Sequence, residues 1–190
     1  MKLKDILRAT TVALAIVGGV LLTPQTAKAQ TTTAITKVLS PEDKADLLKQ
    51  TKIVQAAVNQ WDFDAMMKHE HPAIFKLFDK DTFEQATRAV MAQFKKMDVK
   101  YIKTDFGEPT ATYQSGKEVI CFVPRTSLFQ VQGKRFKSKA YWVAIRSNGD
   151  SEWKFIDGAG IENNRKSLWT MFPELPRDVQ FPEWKQEALN

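Results

Sequence analysis

Cysteine is nearly missing from this 190-residue chain, which has only Cys121. No internal disulfide can hold the fold, so its stability has to come from a packed core. Cys121 lies in the alternating apolar segment EVICFV, a setting for a buried, inert thiol, since reactive cysteines need an electropositive and partly exposed one. No cysteine stands near residue 20, so a lipid would find no acceptor at a processed N-terminus. Histidine is almost as scarce, with His69 and His71 the only two. A metal site would need them to converge with Asp62 or Asp64, but residues two apart on a helix point about 200° apart. They read as a cap and a loop histidine beside Pro72, and neither a metal nor another cofactor is expected. Charge of one sign is also in short supply. The formal net charge is +6, and half of it falls in the first 29 residues, leaving a mild +3 that argues against a nucleic-acid partner. The one basic cluster, Lys134, Arg135, Lys137 and Lys139 in GKRFKSK, follows a Gln132-Gly133 turn and reads as a solvated hairpin tip. Internal repeats and long low-complexity tracts are absent.

The N-terminus carries the clearest local pattern. Lys2, Lys4 and Arg8 precede an apolar run from Ala9 to Leu22, and the small-residue triplet Ala27-Lys28-Ala29 follows. This is the three-part layout of a secretory signal peptide, with cleavage expected after Ala29. The run has 14 residues, fewer than the roughly 20 a helix needs to span a bilayer, so no stable membrane anchor is expected. The expected address is the periplasm or the exterior. Residues 30–39 read as a flexible leader, 40–162 as one α+β domain, and 163–190 as a C-terminal helix and proline-rich clasp.

Ser40-Pro41-Glu42-Asp43 is a helix start, with serine at the N-cap, proline at the first helical position and acids on the positive end of the dipole. Leu47, Val54, Val58 and Trp61 then share a stripe. Asp62 caps a second helix through FDAMMKHE, which ends because Pro72 pushes His71 out of the helical region. A third helix is expected from Asp81, with Glu84 completing a capping box and Phe83, Val90, Met91 and Phe94 facing inward. From Asp98 the period changes to two, and VKYIKTDF, KEVICFV, SLFQVQ, RFKSKAYWVAIR and EWKFID read as strands separated by turn residues, Pro124 among them. Three helices followed by an antiparallel meander make an α+β domain. In the tail, Trp169, Phe172, Phe181 and Trp184 are too many rings for a free extension.

This order of elements resembles the nuclear transport factor two-like superfamily, and within it a set of small exported bacterial proteins. The matching residues are His71-Pro72, Glu108-Pro109, Val123-Pro124, the WKFIDG strand and MFPELP, which together cover roughly residues 40–182. The resemblance implies a curved antiparallel sheet closed into a cone by three N-terminal helices, with an aromatic-lined pocket on its concave face. It does not carry a function, because one architecture hosts enzymes, binding modules and scaffolds.

Asp157, at the end of SEWKFIDGAG, is the pivotal residue. Alternation puts it on the side of Trp153 and Phe155, but Asp-Gly is also a favoured turn pair. The reading that follows is a non-enzymatic exported module holding a small apolar or amphipathic ligand, or a protein partner, against Trp61, His71, Tyr101, Trp142, Phe155 and Asp157. The resemblance implies an alternative, an isomerase or lyase with Asp157 as general base and Tyr101 or Tyr141 as donor. A scaffold without a pocket is a third. Tyr141, Val143 and Ile145 alternate with the face that holds Trp142, and are expected on an outer sheet face able to form a homodimer.

Overall fold

A computed structural model describes residues 37–189, so the expected signal peptide and all but the end of the leader lie outside the described residues. Helix α1, Pro41–Gln60, starts as its sequence dictates, with the Ser40 side chain accepting from the Asp43 amide. It ends on Trp61, whose φ of 55° is left-handed. A tryptophan carries a penalty of roughly 1–2 kcal/mol there. Helix α2, Phe63–His69, is capped by Asp62, and a 3₁₀ turn, Pro72–Lys76, by the His71 side chain. Helix α3, Lys80–Lys96, begins one residue earlier than expected, because Asp79 and not Asp81 supplies the capping carboxylate to the Thr82 amide.

Six strands follow in one antiparallel sheet: β1, Lys100–Phe106; β2, Tyr113–Ser115; β3, Glu118–Val131; β4, Lys134–Ser147; β5, Lys154–Asp157; and β6, Lys185–Leu189. The long β3–β4 hairpin is the spine. β1 and β2 share the outer edge of β3, and β5 and β6 share that of β4. Pro124 does not break β3 in two. Its carbonyl accepts from the Gly107 amide, so its nitrogen faces the same edge, in the gap between β1 and β2 where no ladder donor is needed. Two short helices, α4, Gly158–Glu162, and α5, Lys166–Met171, lie between β5 and β6. The described residues thus hold five α-helices, two of them after β5, in an α+β arrangement.

Both faces of the sheet are covered by the chain itself. Cys121, Val123, Trp142, Ala144 and Phe155 pack under Leu47, Val54 and Val58 of α1, and Phe129 and Phe136 meet Phe94 of α3. On the opposite face Phe122, Tyr141, Val143, Ile145 and Ile156 lie under Leu168, Met171, Phe172 and Leu175 of the tail. Tyr141, Val143 and Ile145, expected on an outer face open to a second copy, are fully buried, because the proline-stiffened tail folds back over them. Burying the thiol of Cys121 pushes its pKa up to about 12, which keeps it protonated and unreactive. No helix among the described residues is long and apolar enough to cross a membrane.

Candidate functional site

The face of the sheet beneath α1, α2 and α3 carries a cavity of about 140 Å³. That is close to the size of an engineered apolar cavity of about 150 Å³ that takes up benzene. Strand alternation builds its floor. Arg125, Ser127 and Phe129 of β3, Ser138, Ala140 and Trp142 of β4, and Asp157 of β5 all point the same way, and Tyr101 of β1 joins them at one side. Helices supply the roof through Val58, Met66, Met67, Thr87, Met91 and Phe94, with Trp61 at the end of α1. The strained backbone at Trp61 sets its ring edge-on to Phe94 at 5.5 Å and 6.2 Å from Tyr101. From the tail, Trp184 and Gln186 complete the wall.

An arginine and two carboxylic acids line this largely apolar space. Asp157 stands opposite Trp142 in the β4–β5 ladder, and Arg125 opposite Ala140 in the β3–β4 ladder, so their side chains meet across β4. The Arg125 Nη2 group donates to both Asp157 oxygens, at 2.8 and 2.9 Å, and Nη1 donates to the Gln55 Oε1 at 3.2 Å. The guanidinium lies 4.3 Å from the centre of the Trp142 ring, and its side chain is only 9% exposed. Asp157 also accepts from the Ala159 amide at 2.9 Å and so caps α4. It is at once the turn residue and the cavity residue between which its sequence context was ambiguous.

The third of these residues is Glu70. Pro72 forces the preceding residues into an extended path, and the His71 amide donates to the Phe155 carbonyl, which lays Glu70 beside β5 as a parallel bridge. Its Oε1 is buried without a hydrogen-bond partner, as is the Nε1 of Trp142. Burial first, and the nearby Asp157 carboxylate second, hold the Glu70 carboxyl well above the usual carboxylate range.

Of the residues singled out from the sequence, Trp61, Tyr101, Trp142 and Asp157 meet in this cavity. Phe155 does not line it, but supports it from behind, edge-on to Trp142 at 6.1 Å. His71 lies on the other side of β5. Its Nδ1 accepts from the Ala73 amide and its ring rests 5.5 Å from Phe172. Burial pushes its pKa down to about 4, so the 4.0 Å approach of Nε2 to Glu118 is a contact of a neutral ring and not an ion pair. Tyr141 also belongs to the far face, where its hydroxyl donates to Glu162 at 3.2 Å. Tyr101 is therefore the one of the two candidate tyrosines that shares the cavity with Asp157. Asp62 caps α2, Asp64 faces Arg88, and no three metal-ligating side chains gather among the described residues.

Arg125 and Glu70 were missed in the sequence. Arg125 follows a proline that reads as a turn, and only the alternation of an unbroken β3 would have put it beside Trp142. Glu70 reads as the last residue of a helix, and no local signal marks its pairing with β5. Comparison with protein-family profiles, with curated proteins and with solved structures finds no match for this chain, and none of the three identifies the nuclear transport factor two-like superfamily.

Proposed function

We propose that the protein is an exported, non-enzymatic binding module with a nuclear transport factor two-like cone, and that it holds a small apolar or amphipathic ligand in its aromatic cavity. The observation that carries this reading is the ring-sized space lined by Trp61, Tyr101 and Trp142, with a few polar groups, Glu70, Arg125 and Asp157 among them, set into an otherwise apolar wall. Ligand sites have this composition, an apolar lining with a few convergent polar groups. Export rests on the charge, apolar and cleavage pattern of residues 1–29. A scaffold without a pocket would have no use for an internal cavity that leaves a carboxyl oxygen and an indole N–H unpartnered.

The enzymatic alternative draws support from Tyr101 and Asp157 sharing the cavity. It is the weaker reading, because Arg125 and the Ala159 amide take three of the roughly four acceptor positions of Asp157 and hold the carboxylate as a structural anchor. Native mass spectrometry of protein purified from its own source tests the binding reading. A small co-purifying mass that leaves on denaturation is the expected result. A bare chain that also fails to take up any ring-sized compound added in excess overturns it.

A further inference from the structure

The charge balance of the cavity narrows the class of ligand, an inference that rests on the binding reading above. Among the described residues lining it, Arg125 is the only cation, and it is already committed to Asp157, to Gln55 and to the face of Trp142. Two acids line the same space, so one of them, Glu70, has no counter-charge. An incoming carboxylate would meet no free cation and would be an unpaired charge in a low-dielectric site, which disfavours its binding. An organic cation would meet a carboxyl with an unpartnered oxygen and the rings of Trp61, Tyr101, Phe94 and Phe129, whose electron-rich faces attract cations.

We propose that the cavity is a site for a small organic ammonium ion with a ring-sized apolar body, and that Glu70 is its counter-ion. Held protonated when the cavity is empty, Glu70 must lose its proton for the pair to form. The carboxyl O–H bond breaks, the proton goes to solvent, and the carboxylate left behind pairs with the ammonium. Binding therefore releases one proton and tightens as pH rises. The titratable and charged groups facing Glu70 are Asp157, Arg125 and Tyr101 across the cavity, with Lys68, His69 and His71 beside it in the chain and Lys154 on β5. Arg125 and Asp157 offset each other. Tyr101, whose pKa burial raises further, stays neutral across the acid and neutral range. Burial lowers the pKa of both His69 and His71, which favours their neutral forms as pH rises.

Calorimetric titration of the full chain with benzylammonium, benzyl alcohol and benzoate, three probes of one size and three charges, tests this. Benzylammonium should bind most tightly, its affinity should rise with pH by up to about tenfold per pH unit as long as Glu70 is protonated in the empty cavity, and binding should release up to one proton. Glu70→Gln should weaken benzylammonium by roughly tenfold or more and flatten the pH slope, while benzyl alcohol, which needs no counter-ion and reports an intact cavity, binds as before. Benzyl alcohol or benzoate binding as tightly as benzylammonium, or an unchanged benzylammonium affinity in Glu70→Gln, overturns the ammonium assignment and leaves the binding module standing. Failure of all three probes to bind overturns the binding module itself.

Discussion

Arg125 and Asp157 hold each other across β4 with no other charge to substitute for either. Removing one leaves the other half-buried and unpaired, a larger penalty than losing both. Arg125→Leu should lower unfolding free energy by roughly 2–3 kcal/mol, and the double change Arg125→Leu with Asp157→Asn should recover part of it, as read from urea denaturation midpoints. Glu70 contributes with the opposite sign. Its folded pKa lies above the unfolded one, so its native protonation favours folding below about pH 4.5 and that advantage is lost as pH rises toward the folded pKa. Glu70→Gln should therefore raise the thermal midpoint at pH 7 and have little effect at pH 4. His71 works the other way again. Its pKa falls from 6.5 to about 4 on folding, so the unfolded chain takes up a proton first as pH drops. Stability should decline between those two values by at most about 3 kcal/mol on this account, and a His71→Gln variant should lose that share of the decline. Gly158 is constrained by space. A Cβ there would lie 2.4 Å from the Tyr141 ring, so Gly158→Ala should destabilise the junction of β5 and α4 by more than the usual effect of alanine at a helix start.

At the scale of elements, the tail does more than end the chain. Phe172 and Leu175 are buried on the far face, Phe181 packs 5.3 Å from Phe122, and the chain then turns round the sheet to add β6 to β4, bringing Trp184 to the cavity. Each of these rings removes on the order of 100 Å² or more of apolar surface from water, at about 25 cal/mol per Å². A chain ending at Arg165 should be less stable by several kcal/mol, and equal thermal midpoints for it and the full chain would contradict the packing role. The strands were legible in the sequence because alternation is a local signal and both faces obey it: Cys121, Val123 and Arg125 go one way, Ile120 and Phe122 the other. The start of α1 was legible for the same reason, since Ser40 and Pro41 act within one turn. The unbroken run of β3 through Pro124 was not, because the proline is tolerated only by a gap that other strands leave. Helix α4 was hidden in a Gly-rich stretch that reads as a turn. Three of the cavity residues, Trp61, Tyr101 and Trp142, could be picked as rings and Asp157 by its face. Arg125 was hidden by the apparent break at Pro124, and Glu70 owes its place to a pairing with β5, far away in sequence, which no local pattern records.

For the whole molecule, the central claim is that one face of a self-covered sheet keeps a ring-sized space for a ligand. The chain's five tryptophans divide cleanly around it, with Trp61, Trp142 and Trp184 lining the cavity, Trp153 buried beside α1, and Trp169 on the tail, its Nε1 donating to the Leu175 and Pro176 carbonyls. Each indole N–H gives its own proton–nitrogen correlation signal, so one titration reports all five. Adding benzyl alcohol to the full chain should move the signals of Trp61, Trp142 and Trp184 in a saturable way while those of Trp153 and Trp169 stay in place. Five unmoved signals at millimolar probe, or saturable shifts confined to Trp153 and Trp169, would contradict the claim.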